Sequence, residues 1–243
     1  PGGGDDCPGR ARVLPHAAPM TLQTVLALRA EGIEGLAKRL GLQVRRHPEH
    51  PELVLLKYSM TDSPMADPVA RQCRGLIVDA ADDWRPVAYP YEKFFNHHEG
   101  HCAPIDWSTA TVTEKADGIL CTLYHARGRW RVATVTSPDA GGVLRGDGRS
   151  IEAAFWAVFE ARGYRVPARA GHNFFFELCL PTDPVLVRHA APRLLVHGAR
   201  DMASLAEVAP DAFALEHGWE RVAASSARSL DEVVRAARAL RPT

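Results

Sequence analysis

Short β-leaning segments, separated by only a few helical stretches, most constrain how this chain can fold. They are rich in β-branched and aromatic residues and are bounded by turn-forming residues, as half-buried or buried strands usually are. The segments span residues 53–58, 74–79, 87–91, 110–115, 119–125, 130–134, 174–180 and 194–197. The Ala126-Arg127-Gly128-Arg129 turn between two of them predicts a β-hairpin.

Three helices are predicted around these strands, over residues 22–40, 150–162 and 229–240. Thr21 and Ser150 are suitable N-caps for the first two. Ser229 and Glu232 have the spacing of a capping box for the third. Many short strands with few helices between them predict an α+β fold, built on antiparallel sheets that are flanked by helices.

Composition sets limits on what the chain can bind. Its 243 residues include 29 Lys and Arg against 29 Asp and Glu, so any contact with a polyanion requires a local cationic patch. No apolar run is long enough to span a membrane, and five scattered cysteines favour a reducing, cytoplasmic setting. We expect residues 1–19, which are rich in Gly and Pro, to be a disordered tail before one domain over residues 20–243.

The tetrapeptide Lys115-Ala116-Asp117-Gly118 follows one predicted strand and precedes another. A strand end fixes the stem of a lysine, and a glycine lets the backbone approach a phosphate closely, so Lys115 suits the role of a nucleophile. The pattern is short, and an ordinary turn between two strands explains it equally well.

Three further blocks occur in order around this tetrapeptide. They are Cys73-Arg74-Gly75-Leu76-Ile77-Val78, Glu92-Lys93-Phe94-Phe95-Asn96, and Phe175-Phe176-Glu177-Leu178 with Pro181-Thr182. Together with the lysine tetrapeptide, they resemble the ATP-dependent, tRNA-repair RNA ligases of the bacteriophage RNA ligase 1 type. The likeness is clear over residues 53–200, looser over the first helix, and absent over residues 1–19.

The resemblance implies a nucleotidyltransferase (adenylyltransferase) fold that uses ATP and Mg²⁺ and acts on RNA ends, tRNA among them. Lys115 would form a lysyl-AMP, AMP would pass to an RNA 5′-phosphate, and a 3′-hydroxyl would then seal the strand. The implied catalytic residues are Lys115, Asp117 and Glu177. The implied nucleotide-binding residues are Arg74, Lys93, Phe95, Gly118 and Tyr58, with Phe95 as a wall for adenine and Glu177 as an acceptor for the ribose hydroxyls. The sequence carries no signal for the oligomeric state.

Taken singly, some of these residues have simpler explanations. Arg74 could be an ordinary strand-edge residue, and Lys93 a solvated lysine beside core aromatics. Glu177 is different, because an ionisable group among apolar neighbours on a predicted central strand is costly unless it has a partner or a function.

The chain also departs from the family pattern. Family members carry a basic residue where this sequence has Val135, so another group, such as Arg145, would have to supply that phosphate contact or catalysis would be impaired. The family's later glutamate-glycine and Lys-x-Lys motifs are expected beyond Thr243, which predicts that this sequence is a fragment or a truncated product. A non-catalytic nucleotide- or RNA-end-binding relative therefore remains an alternative, as do a DNA ligase and a capping guanylyltransferase.

Two side-chain clusters suggest other sites. His97, His98, Glu99, His101 and Cys102 are zinc-ligand types, but they form one dense stretch without the second pair that structural zinc sites normally have. A solvated loop is the better prediction there. Arg127, Arg129 and Arg131 alternate along the predicted hairpin and would share one face, which could contact an RNA backbone or simply be solvated.

Overall fold

Two antiparallel sheets form the centre of the fold in the computed structural model, which describes residues 21–184 and 186–239. The strands are β1 (Leu42–Arg46), β2 (Leu53–Tyr58), β3 (Arg74–Asp79), β4 (Arg85–Ala88), β5 (Thr111–Thr113), β6 (Ile119–Ala126), β7 (Arg129–Thr134), β8 (His172–Cys179), β9 (Arg193–Asp201), β10 (Glu207–Val208), β11 (Glu220–Arg221) and β12 (Ala224–Ser226). The helices are α1 (Gln23–Leu40), α2 (Pro68–Gln72), α3 (Ile151–Ala161), α4 (Asp211–His217) and α5 (Leu230–Ala239). The tail predicted over residues 1–19 lies outside the described residues.

The first sheet has the strand order β1-β2-β3-β4, and the second has the order β10-β9-β8-β6-β7. All of these neighbours are antiparallel, while β11 adds to β9 in parallel. β5 and β12 form a separate two-stranded ribbon. The α+β prediction, with antiparallel sheets and few helices, is confirmed at this level.

The central strands of the first sheet, β2 and β3, are buried on both faces because the sheet has helices on one side and the second sheet on the other. Val54 and Leu56 pack in one core cluster with residues of α1 and α2. The alternate residues Leu53 and Leu55 pack on Tyr124 of β6 instead. This period of two assigns each side chain to one of two different cores.

The second sheet is arranged in the same way. Phe174 and Phe176 of β8 face a cluster that contains Phe155 and Phe159 of α3. Phe175 and Glu177 alternate with them and therefore lie on the opposite face. Helices, sheet, sheet and helices thus form four layers, and Glu177 is on the side of β8 that faces the first sheet.

Several predicted elements are confirmed. β2 and β3 have the predicted bounds, and β6 and β7 form the predicted hairpin. Ser150 caps α3, since its Oγ accepts a hydrogen bond of 3.1 Å from the N–H of Ala153. α1 has nearly the predicted bounds, with non-helical backbone at Gly32, but its N-cap is Leu22 and not the predicted Thr21, and no side chain caps it. α5 covers the predicted last helix as far as Ala239, and Leu240 lies outside the described residues.

Two predicted strands are too long. β4 ends at Ala88 rather than at Tyr91, because the N–H of Tyr89 donates to Asn173 Oδ1 (2.7 Å) instead of to a neighbouring strand. Arg200 Nε donates a hydrogen bond of 2.8 Å to the carbonyl oxygen of Tyr89. The backbone after Ala88 therefore bonds to side chains and does not extend the strand. β5 ends at Thr113, so Lys115 lies in a loop and not at the end of a strand.

The hairpin arginines do not form one free cationic face. Arg127 Nη2 lies 2.8 Å from the buried carboxylate of Asp79, and Arg129 pairs with Glu49 at 2.7 Å. Arg131 is buried and donates to a main-chain carbonyl of the same hairpin. The three arginines, for which an RNA-contacting face and a solvated face were both open, instead make contacts within the protein that include ion pairs between the hairpin and the first sheet.

The described residues also bear on two features predicted from the sequence, the lack of a membrane span and the free cysteines. Within residues 21–184 and 186–239, no helix combines the length and apolar character needed to cross a membrane. Each cysteine in these ranges has a free thiol, namely Cys73, Cys102, Cys121 and Cys179.

Candidate active site

A cleft of about 520 Å³ opens where the lysine loop passes over the second sheet, a size that suits a small ligand. Its lining comes from β3, β5, β6, β8 and β9, from the irregular segments after β4 and β5, and from the link between β11 and β12. Its lining residues are Arg74, Tyr91, Phe94, Thr113, Glu114, Lys115, Ala116, Gly118, Leu120, Glu177, His197 and Val222. Four of the eight predicted site residues therefore meet in one cavity: Arg74, Lys115, Gly118 and Glu177.

The lysine loop leaves the β5–β12 ribbon and enters β6. Lys115 is exposed on the cleft wall. A side-chain carbon at Gly118 would overlap the carbonyl oxygen of Leu178 in β8, so only glycine allows the loop to lie this close to the strand. The sequence suggested that Gly118 gives room to a phosphate, whereas here it gives room to the neighbouring backbone.

Glu177 lies in the floor of the cleft, opposite Leu120 of β6 and Leu195 of β9. Burial among these apolar neighbours raises the pKa of Glu177 to about 7, although the hydrogen bond from the N–H of Gly118 to Oε1 (3.0 Å) acts in the opposite direction. The positive charge of Lys115 also acts to lower the pKa of Glu177, so the two side chains are within electrostatic range of each other. Glu177 therefore combines a fixed position, a perturbed pKa and access to the cleft.

Arg74 begins β3 and extends into the cleft, where its guanidinium lies 5.0 Å from the centre of the Phe94 ring. Its Nη1 is buried and has no hydrogen-bond partner among the described residues. A buried guanidinium nitrogen without an acceptor is costly, so this group is suited to a ligand oxygen.

Tyr91 and His197 line the cleft although neither was predicted from the sequence as a site residue. The Tyr91 hydroxyl donates to the carbonyl oxygen of His197 (3.0 Å) and lies 3.2 Å from its Nδ1. Tyr91 reaches this position because the next residue of β9 is Gly198, where any side-chain carbon would overlap the hydroxyl. The Tyr91 ring also packs edge-on to Phe175, with centroids 4.6 Å apart. No local pattern marks this cluster, since residues 91 and 197 meet only through the fold.

Three predicted nucleotide-binding residues lie outside the cleft lining. Lys93 Nζ donates to the carbonyl oxygen of Phe94 (2.9 Å) and lies 4.6 Å above the Phe95 ring. Phe94, and not Phe95, forms the aromatic wall beside Arg74. Tyr58 is buried at the end of β2. Its N–H donates to the carbonyl oxygen of Cys73 (2.6 Å), the residue that precedes Arg74.

Asp117 is also turned away from the cleft lining. Its carboxylate accepts hydrogen bonds from the N–H groups of Val187 (2.7 Å) and Leu186 (2.6 Å), which hold the pKa of Asp117 below its usual value. His189 Nε2 lies 2.6 Å from the main-chain carbonyl oxygen of Asp117. Asp117 therefore attaches the segment around residues 186–189 to the lysine loop.

Val135 lies beside Gly75, the residue that follows Arg74 in β3. A side-chain carbon at Gly75 would be 2.9 Å from Val135 Cα, so the two backbones are in close contact. Arg145, the suggested substitute, is exposed and is not part of the cleft lining. The structure brings no second arginine to this wall of the cleft within the described residues.

The histidine-rich stretch forms an irregular loop. Glu99 accepts hydrogen bonds from both the N–H (3.1 Å) and the side-chain amide (2.8 Å) of Asn96. Across residues 21–184 and 186–239, no three His, Cys, Asp or Glu side chains are grouped so that they could hold a metal ion. The arrangement of His97, His98, His101 and Cys102 therefore gives no support to a zinc site.

Comparison with known proteins identifies the family of this chain. The family model described as RNA ligase, of the phage type 1, matches residues 72–240. An RNA ligase of Rhodothermus phage RM378 is 25% identical over 165 residues, which cover 54% of this chain and 37% of the phage protein. A protein of Autographa californica nuclear polyhedrosis virus, assigned as a bifunctional polynucleotide kinase/RNA ligase, is 26% identical over 113 residues, which cover 42% of this chain and 16% of the viral protein. The chain spans less than half the length of either relative. Because the family model matches more than half of it, this chain belongs to the phage-type RNA ligase 1 family.

Proposed function

We propose that residues 20–243 form an adenylyltransferase domain of an ATP-dependent RNA ligase that acts on RNA ends, tRNA among them, in the cytoplasm. The observation that carries the proposal is the meeting of Lys115, Glu177 and Arg74 in one cleft of nucleotide size, where the buried Nη1 of Arg74 has no hydrogen-bond partner among the described residues. In nucleotidyl transfer to a lysine the amine is the nucleophile, and a cation held beside it offsets the negative charge of the phosphates.

The proposed chemistry has three steps. The unprotonated Nζ of Lys115 attacks the α-phosphorus of ATP, so that an N–P bond forms and the P–O bond to pyrophosphate breaks. An oxygen of an RNA 5′-phosphate then displaces the lysine at the same phosphorus, which gives a 5′–5′ pyrophosphate-linked AMP. An RNA 3′-hydroxyl finally attacks the RNA 5′-phosphorus, loses its proton and releases AMP.

The chain's own groups have distinct parts in this scheme. Arg74 would bind phosphate oxygens and offset the negative charge of the triphosphate. Glu114 is the exposed carboxylate of the lining and, together with the phosphates, has the oxygen chemistry that Mg²⁺ prefers. When bound, Mg²⁺ supplies further positive charge at the triphosphate. Asp117 would keep the lysine loop in place through the 186–189 segment.

Covalent labelling tests the proposal. The protein is incubated with Mg²⁺ and ATP labelled at the α-phosphate, denatured, and assayed for bound label. We expect label on the native protein and none on Lys115→Ala, with Lys38→Ala as a control for a lysine at the end of α1. Absence of label on the native protein, or label that persists in Lys115→Ala, would contradict the lysine-adenylylation step.

One observation favours a second candidate, a non-catalytic protein that binds nucleotides or RNA ends. The apolar Val135 lies beside Gly75 where the family carries a cation, so the cleft has less positive charge for a triphosphate. This candidate predicts AMP binding without covalent label. Val135→Lys would then be expected to increase labelling if the missing charge is what limits the reaction.

A further inference from the structure

The segment that Asp117 attaches to the lysine loop carries an exposed cation. The N–H of Val187 donates to the Asp117 carboxylate (2.7 Å), and His189 Nε2 lies 2.6 Å from the Asp117 carbonyl oxygen. Arg188 lies between these two contacts and is exposed. Its backbone is therefore fixed beside the lysine loop, while its side chain is open to solvent.

A second loop meets the same connection between β8 and β9. A side-chain carbon at Gly146 would overlap the carbonyl oxygen of Thr182, so the two backbones are in close contact. Arg145 directly precedes this contact and is exposed. The fold therefore brings Arg145 and Arg188 onto two adjoining loops, one of which is bonded to the lysine loop.

These two arginines are not neutralised by the protein itself. Neither pairs with an acidic side chain among the described residues, whereas Arg149 of the first loop is bound to Asp147 at 2.6 Å. Asp183 is the remaining acidic residue of the two loops, so positive charge is in excess there. Both arginines also lie outside the cleft lining, where the proposed function requires ATP to bind.

Each arginine is accompanied by an exposed apolar residue two positions earlier in the chain. Val143 precedes Arg145 and is 69% exposed, and Leu186 precedes Arg188 and is 87% exposed. A single RNA strand matches both kinds of group, since its phosphates bind guanidinium groups and its unpaired bases pack on apolar side chains. The phosphates of ATP would match only the arginines.

The proposed reaction also requires the RNA strand to lie close to these loops. AMP passes from Lys115 to an RNA 5′-phosphate, so the first nucleotides of that strand must lie beside the lysine loop. The segment after β4, which also reaches the cleft, offers less positive charge. Its cation Lys93 is bonded to the carbonyl oxygen of Phe94, and Glu99 follows on the same segment.

We propose that Arg145 and Arg188 bind the phosphate backbone of the RNA strand whose 5′-phosphate receives AMP, and that Val143 and Leu186 contact its bases. This inference rests on the proposed function. It gives the RNA substrate a docking surface that is separate from the nucleotide cleft and is held in place through Asp117.

Equilibrium binding of a 5′-phosphorylated, single-stranded RNA at several salt concentrations tests this inference without requiring any reaction. We expect Arg145→Gln and Arg188→Gln each to weaken binding about 3- to 10-fold at low salt. Each should also reduce the slope of log K against log salt concentration by about 0.7, the value for one phosphate contact on a single strand. Arg45→Gln is the matched control, because Arg45 is an exposed arginine on the edge strand β1.

Three results would overturn the inference. The first is an RNA affinity that neither arginine variant changes. The second is equal weakening by Arg45→Gln, which would show a general attraction of the protein for polyanions. The third is a parallel loss of ATP affinity, measured by calorimetry, which would assign the two arginines to the triphosphate. Thermal melting of each variant excludes loss of folding as the cause.

Photo-crosslinking provides a second measurement that needs only the native protein. The RNA carries a photoreactive base next to its 5′-phosphate, and the crosslinked peptide is identified by mass spectrometry. Crosslinks within residues 143–149 or 186–189 would support the docking surface. Crosslinks confined to residues 93–101 would place the strand on the segment after β4 and overturn the inference.

Failure of this inference is separable from failure of the proposed function. Covalent AMP label on the native protein, combined with RNA binding that is insensitive to Arg145 and Arg188, would remove the docking surface and leave the ligase proposal intact. RNA binding that depends on both arginines, without covalent label, would leave the docking surface intact and remove the ligase proposal.

Discussion

Glu177 Oε1 accepts a hydrogen bond of 3.0 Å from the backbone N–H of Gly118. The bond joins the floor of the cleft to the loop that carries Lys115. Because burial raises the pKa of Glu177 from 4.5 to about 7, the folded protein binds this proton more tightly than the unfolded chain does. Stability due to this group is therefore greatest below pH 4.5, falls as the pH rises to 7, and is constant above that.

Glu177→Gln is expected to stabilise the protein at alkaline pH while it weakens nucleotide binding. The pKa change corresponds to roughly 3 kcal/mol at most, and the amide can still accept from Gly118, so we expect a gain of about 1–3 kcal/mol at pH 8. The gain should be much smaller at pH 4.5. Urea unfolding at both pH values measures it, with the exposed Glu34→Gln as a control. Lower stability of Glu177→Gln at pH 8 would contradict the burial argument.

Gly118→Ala is expected to displace the lysine loop. The added methyl group would overlap the carbonyl oxygen of Leu178, which belongs to the backbone of a central strand and cannot move away cheaply. We expect a loss of about 1–3 kcal/mol in the free energy of unfolding and a strong reduction in covalent labelling. Gly100→Ala is the matched control, because a methyl group there meets no atom within 4 Å. Equal effects of the two variants would show that the close approach at Gly118 is unimportant.

The parts of the fold that the sequence predicted are those decided by local patterns. β2, β3 and the β6–β7 hairpin have strong periodicity or turn signals, and Ser150 is a conventional cap. β1 and the short helices α2 and α4 were missed because their exposed or brief sequences carry little periodicity. β4 was predicted too long because Asn173 and Arg200, distant in sequence, bind the backbone of Tyr89.

The site residues also divide into those that a sequence pattern identifies and those that only the fold brings together. Glu177 could be identified because an ionisable residue is unusual among apolar neighbours, and Lys115 because its tetrapeptide occurs in order with three further blocks. Phe94 and Phe95 are adjacent and chemically identical, so only the conformation of the segment after β4 decides which of them faces the cleft. His197 could be assigned to the cleft only when the structure showed its contacts with Tyr91.

The hairpin arginines are expected to differ sharply in their effects on stability. Arg127→Met would leave the buried Asp79 carboxylate without its nearest cation, and we expect a cost of about 3 kcal/mol. Arg129→Met removes an exposed pair with Glu49 and should cost less than about 1 kcal/mol. Chemical unfolding measures both values. The same variants test the RNA-contact hypothesis, since a salt-dependent loss of RNA affinity in Arg129→Met would restore a binding role to this face.

The aromatic wall of the cleft gives a direct test of the arrangement after β4. Phe94 lines the cleft beside Arg74, while Phe95 packs near Lys93 and His101. We expect Phe94→Ala to weaken AMP binding roughly tenfold, in keeping with the free energy of base–aromatic stacking. Phe95→Ala should weaken it less than about threefold, because the Phe95 ring lies outside the cleft lining. Titration calorimetry with AMP compares the two, and unfolding curves confirm that both variants are folded. The opposite order would assign the adenine wall to Phe95, as the family resemblance implies, and would require the segment around residues 93–96 to change its conformation when the nucleotide binds.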